Sequence, residues 1–244
     1  KIRHHLYGFH DVKKNFSTGD WLNLVNKKIK NIQKRKRIPI LVGGTGLYFK
    51  ALTDGLVKIP KISIKLRNQI RNMQKKLGQK KFYEKLLKLD PLVGERINPW
   101  DTQRSIRAYE VKHFTNKSLY DWYENTKSDY KKFDFYKIYI DFPRSDLIKR
   151  INSRTENMIK LGAIEEVKKL LRLNIDQNKT VNQAIGILEI KSYLKNEKKL
   201  DQIKDEISIK TRQYAKRQNT WARSKMKKWK KIKPEKLLAF LKKI

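Results

Sequence analysis

The chain has 244 residues, of which 39% are apolar, enough for a sizeable core in one domain plus a smaller one. No run approaches the ~20 apolar residues of a membrane-spanning helix, and the absence of cysteine excludes disulfides and cysteine-based zinc sites. Sixty basic against 24 acidic side chains leave a net charge of +36, a field that attracts polyanions and above all nucleic acid.

A lysine-biased proteome would raise the charge of any enzyme, so charge alone does not decide the partner. No membrane association is expected, and the lack of cysteine fits a cytoplasmic location.

Ser17-Thr18-Gly19-Asp20 predicts a helix start. Trp21, Leu24, Val25, Lys28, Ile29 and Ile32 then recur at helical spacing up to a basic run at 34–37. Residues 38–42 are short, apolar and β-branched and read as a buried strand. Gly43-Gly44-Thr45-Gly46 follows as a turn, with a helical run directly behind it. A helix, a buried strand, a glycine turn and a helix argue for an α/β fold with a parallel sheet.

From 61 to 130 the patterns are helical only: 63–77 ending at Gly78, 80–89 ending at Asp90-Pro91, and 101–114 ending at Asn116. This predicts a helical insertion into a sheet-based core. A second strand is expected at 136–141, leading past Pro143 and Asp146 into a helix over 147–161 stopped by Gly162. Beyond it the patterns remain mostly helical, through 181–194 and a long segment over 200–226.

Two patches carry candidate chemistry. On the long segment, Ile203, Ile207, Tyr214 and Trp221 share one helical face, with Arg212, Lys216, Asn219, Arg223 and Lys227 nearly opposite. Such a stripe reads equally as a solvated basic face or as a set of donors for phosphates. In the second patch, Gln103, Arg104 and Arg107 are spaced to approach one nucleic-acid strand together, with Asp101 as a helix cap. An ordinary ion-pair network with Glu110 explains the same spacing.

The glycine turn lets backbone approach a ligand closely, and ligands bind at the carboxyl ends of strands in open parallel sheets. Thr45 would place one hydroxyl there. The Gly-Lys-Ser/Thr ending of a Walker phosphate loop is missing.

Three stretches, "PILVGGTGLYFKALTDGL" (39–56), "DTQRSIRAYEV" (101–111) and "TRQYAKRQNTWAR" (211–223), together resemble the tRNA dimethylallyltransferases, or isopentenyl-pyrophosphate transferases. His4-His5 and "RINSRTENMIKLGAIEEV" (150–167) agree, and the likeness covers essentially the whole chain.

The resemblance implies a P-loop-kinase-like parallel-sheet core lacking its first βα unit, over 1–60 and 131–244. A helical insertion domain over 61–130 would clamp a tRNA anticodon stem-loop. The implied reaction moves a dimethylallyl group from dimethylallyl diphosphate to N6 of the adenosine 3′-adjacent to the anticodon. Mg²⁺ is the implied cofactor, and the protein is expected to be a cytoplasmic monomer.

By the same resemblance Thr45 is the channel threonine near the target adenine, and Arg154 binds the diphosphate. Contacts to tRNA fall on Arg67, on Gln103, Arg104, Ser105, Ile106 and Arg107, and on Ala184, Ile185, Gly186, Ile187, Leu188 and Glu189. They continue on Lys216, Arg217, Gln218, Asn219, Thr220, Trp221, Ala222 and Arg223.

The sequence departs from the family at Gly186-Ile187-Leu188, where Gly-Tyr and a basic residue are usual. The family's phosphate loop and general-base Asp are also absent, so residues 1–244 alone are expected at best to bind RNA and to show almost no transfer. The rival readings are a P-loop-type nucleotide or metabolite kinase and a non-catalytic RNA-binding module.

Overall fold

The computed structural model describes residues 2–124, 126–131, 134–176 and 179–242. The chain forms two compact units, Lys1–Phe49 with Phe133–Ile244, and Lys50–Lys132.

In the first unit, α1 (Thr18–Lys34) opens on a reciprocal cap, as the Ser17-Thr18-Gly19-Asp20 signature predicts. The Asp20 amide donates to Ser17 Oγ at 3.1 Å and the Ser17 amide donates to the Asp20 carboxylate at 2.9 Å. Helix α2 (Gly46–Thr53) follows the glycine turn. Among the described residues the sheet has two strands, β1 (Ile138–Ile140) and β2 (Lys230–Ile232), which run parallel with Ile138 opposite Lys230 and Ile140 opposite Ile232.

Parallel neighbours need a long crossover. Here it consists of α6 (Arg144–Lys160), α7 (Ala163–Arg172), α8 (Ile187–Leu194) and α9 (Leu200–Lys225). Val167, Ile190, Ile203 and Ile207 bury their side chains between these helices. Ser208 Oγ donates to Thr155 Oγ1 at 3.1 Å and pins α9 to α6. A short α10 (Pro234–Leu241) closes the chain.

The expected buried strand at 38–42 does not form. Ile38, Ile40 and Val42 are 87%, 79% and 82% exposed in an irregular segment. Strand propensity works through pairing and packing, and among the described residues β1 and β2 pair only with each other.

The second unit is helical: α3 (Ile64–Leu89), α4 (Thr102–Thr115) and α5 (Leu119–Glu124). Gly78 interrupts α3 with φ 73° and ψ 166°, the break its sequence predicts. Asp101 caps α4 by accepting from the Arg104 amide at 3.0 Å, and Asn116 ends it in the left-handed conformation. Phe82, Leu86, Val93, Ala108 and Val111 form a fully enclosed core. Among the described residues no helix is long and apolar enough to cross a membrane.

Candidate functional site

The glycine turn is pressed against α9. A Cβ added to Gly44 would lie 2.1 Å from Gln218 Nε2, and one added to Gly46 would lie 2.2 Å from Trp221 Cε3. At Gly46 the rigid indole leaves no room for a side chain, whereas at Gly44 a Cβ would meet only the flexible end of Gln218. The start of α2 is held from other directions as well: Tyr48 stacks on Trp21 of α1 at 4.3 Å, and Phe49 meets Trp229 edge-on at 5.5 Å.

Between the two glycines Thr45 remains exposed. Its carbonyl accepts from the Tyr48 amide at 3.0 Å. A braced corner thus presents a single hydroxyl beside a basic helix.

On α9 the predicted stripe separates into packed and presented residues. Gln218 and Trp221 face the corner and Ala222 is buried. Lys216, Arg217, Thr220 and Arg223 are exposed. Thr220 donates back to the Lys216 carbonyl at 3.0 Å, and the Arg217 guanidinium sits 5.6 Å from the Tyr214 ring centre. Asn219 is half-buried, with a buried Oδ1 that has no hydrogen-bond partner.

Tyr214, expected on the packed face, is 41% exposed. The buried residues near the helix end are instead Ala222 and the cap residue Met226.

Arg154 is exposed on α6, next to the buried Thr155 that bonds α9. In the 184–189 segment, Ala184 and Leu188 are exposed, Ile185 and Ile187 are half-buried, and Gly186 and Glu189 are buried. The Glu189 carboxylate accepts from the Gly186 amide at 2.8 Å and from Lys210 Nζ. Burial alone would raise its pKa, but the Lys210 ammonium and the amides of Glu189 and Gly186 outweigh it and hold the carboxyl below its ordinary value. The Lys210 pKa is raised in turn, mainly by its bond to Glu189.

In the second unit, Gln103 and Arg104 are exposed and Arg107 is half-buried, while Ser105 and Ile106 face the core. Ser105 Oγ donates to the Asp101 carbonyl at 2.8 Å and accepts from Gln79 at 3.3 Å, so its side chain serves the fold.

Glu110 is fully enclosed and joins two of the predicted residues. Its carboxylate accepts from Arg67 Nε at 3.3 Å and from Arg107 Nη1 at 3.1 Å. The i, i+3 network weighed from the sequence is therefore present, and it gathers Arg67 from a different helix as well. Arg104 pairs with Asp101 at 3.0 Å, with 73% of its side chain exposed.

Sequence reasoning missed Tyr120 and Tyr123, whose rings lie 5.8 Å apart, and Arg96, whose guanidinium lies over the Tyr120 ring. The aromatic run "LYDWY" (119–123) was the available signal.

A sequence model of the family described as IPP transferase matches residues 1–225. A tRNA dimethylallyltransferase of Pelagibacter ubique (strain HTCC1062) is 58% identical over 243 residues, covering 100% of this chain and 78% of the relative. Among solved structures, the full-length tRNA isopentenylpyrophosphate transferase of Bacillus halodurans is 31% identical with a TM-score of 0.62, covering 95% of this chain and 72% of that one. A eukaryotic dimethylallyltransferase acting on tRNA is 26% identical with a TM-score of 0.77, covering 91% and 56% respectively.

Proposed function

The chain belongs to the IPP transferase family, and on that premise we propose that it serves the transfer of a dimethylallyl group from dimethylallyl diphosphate to N6 of the adenosine 3′-adjacent to the tRNA anticodon. The family match does not favour the kinase or the non-catalytic reading.

The observation that carries the proposal is the exposed Thr45, set on a corner whose glycines lie flush against basic α9. A target adenine must leave its stack for N6 to react, and an unpaired loop base costs least to extrude. Thr45 Oγ1 accepts a hydrogen bond from the exocyclic amine or donates to the purine, and so fixes the amine's direction. The N6 lone pair then attacks the allylic C1 and one N6 proton is lost to solvent water. The C1–O bond breaks with its electrons on the diphosphate. Arg154 offers a fork of donors for the charge gathering on that leaving group.

The exposed Lys216, Arg217 and Arg223 of α9, and Arg104 and Gln103 of α4, supply donors for RNA phosphates. The family resemblance also implies Mg²⁺. Among the described residues no three Asp, Glu or His side chains converge. Mg²⁺ commonly binds through one or two carboxylates together with substrate phosphates, so it would be held largely by the diphosphate.

The reading includes a cytoplasmic, monomeric protein. Sedimentation equilibrium tests the second point, with a single species at the mass of one chain expected. Nucleoside mass spectrometry tests the reaction. N6-dimethylallyladenosine and its derivatives should vanish from bulk tRNA of cells lacking the gene, and unchanged levels would refute the proposal.

A further inference from the structure

Helix α5 places Tyr120 and Tyr123 on adjacent turns, their rings 5.8 Å apart and inclined at 74°. The guanidinium of Arg96 lies over the Tyr120 ring at 4.7 Å, which holds the inner ring of the pair in place. Tyr123 is the outer ring and is 47% exposed.

Arg104 and Arg107 lie one turn apart on α4, the helix that α5 packs against. Burial raises the pKa of this phenol, and the charges of Arg107 and Arg104 draw it part of the way back. Their side chains remain 73% and 39% exposed. Asp101 and Glu110, the acids bonded to these arginines, anchor them from the α4 side. The outcome is a braced, partly open aromatic ring in a unit that also presents two guanidinium groups.

This surface suits a flat ring attached to an anionic backbone better than it suits an apolar protein face or a bare anion. An apolar partner would bring two charges out of water, and a bare anion would leave the ring unused. Unpaired RNA satisfies both, because bases stack on aromatic side chains while phosphates meet Arg.

We propose that Tyr123, backed by the Tyr120–Arg96 pair and with Arg104 and Arg107 on the adjoining helix, is a stacking platform for an unpaired nucleobase of the RNA substrate. The inference rests on the tRNA reading above and adds to it a specific contact with a base.

The test titrates the protein with a labelled anticodon stem-loop hairpin and with a fully paired duplex of the same composition. Tyr123→Ala should weaken hairpin binding by about tenfold or more. It should leave duplex binding and the salt slope of hairpin binding unchanged, because no charge is lost. Tyr123→Phe keeps the ring and should bind within about twofold of the parent.

Hairpin binding by Tyr123→Ala equal to the parent's, or a Phe variant as weak as the Ala variant, overturns the platform. Equal competition by polyglutamate at matched charge also overturns it, in favour of an acidic protein partner. Should the Ala variant not fold, 2-aminopurine placed in the hairpin loop reports on the parent protein and on Tyr123→Phe. Stacking quenches its fluorescence on binding, and no quenching at any loop position contradicts the inference. A parent that binds hairpin no better than duplex sinks the tRNA reading as well, whereas a hairpin preference that survives Tyr123→Ala sinks only the platform.

Discussion

Gly46 lies flush against the indole of Trp221, so close that a Cβ on Gly46 would stand 2.2 Å from the ring. The glycine turn owes its composition to this contact as much as to its bend. Neighbouring Gly44 meets only the mobile end of Gln218. Gly46→Ala should therefore destabilise the protein by about 2 kcal/mol through overpacking against a rigid ring, while Gly44→Ala should cost much less because Gln218 can swing away. Urea unfolding of both variants checks this, and equal midpoints would contradict the assigned contacts.

Glu110 holds Arg67 and Arg107 from one enclosed carboxylate. Hydrogen bonds to charged groups contribute about 1.5–3 kcal/mol, so Glu110→Gln, which keeps shape but loses charge, should lower stability by about 2 kcal/mol. RNA affinity should fall too, as two arginines lose their fixed direction. Denaturant unfolding and hairpin titration of the variant measure the two effects. An unchanged unfolding midpoint would remove Glu110 from this role.

The Glu189–Lys210 pair sets a pH window. The carboxyl of folded Glu189 lies below its ordinary value of 4.5, so the unfolded chain takes up this proton first as acid is added. Its stabilisation is complete above that value and is lost as pH falls through the folded pKa. Lys210 has the opposite sign: its pKa is raised above 10.5, and its contribution disappears as pH climbs through the raised value. Thermal melts should show Glu189→Gln with a flatter acid limb than the parent as pH falls below the ordinary carboxylate value of 4.5. Parallel acid limbs would refute the pairing.

Arg104 and Arg223 are exposed, on α4 and α9 respectively. If each meets a phosphate, replacing either by Ala should weaken hairpin binding and reduce the slope of log K against log salt by about 1. Slopes equal to the parent's would take that arginine off the RNA surface.

Much of the helical framework was legible from local chemistry. The cap at Ser17 and Asp20, the break at Gly78, the Asp101 cap, the left-handed Asn116 and the stop at Gly162 each depend on residues within a turn of one another. The segment 38–42 was misread because a strand is stabilised by a neighbour that its own composition does not reveal. Tyr214 was misplaced for a related reason. A helical wheel gives the direction of a side chain and not whether anything lies there to cover it.

At the candidate site, the sequence pointed to Thr45 and to the basic residues of α4 and α9. It did not separate presented from packed ones. Ser105, Ile106, Ala222 and Glu189 face inward, and Gln218 and Trp221 lie against the glycines. The link from Arg67 to Glu110 spans 43 positions and has no local signature.

The account centres on a hydroxyl presented by a rigid corner, and Thr45→Val tests it most directly because it removes the hydroxyl with little change of shape. Single-turnover prenylation should slow by about tenfold to a hundredfold, as for loss of one hydrogen bond made at the reacting centre, while affinity for tRNA stays within about twofold. Equal losses in rate and affinity, or a rate like the parent's, would mean that Thr45 only shapes the turn.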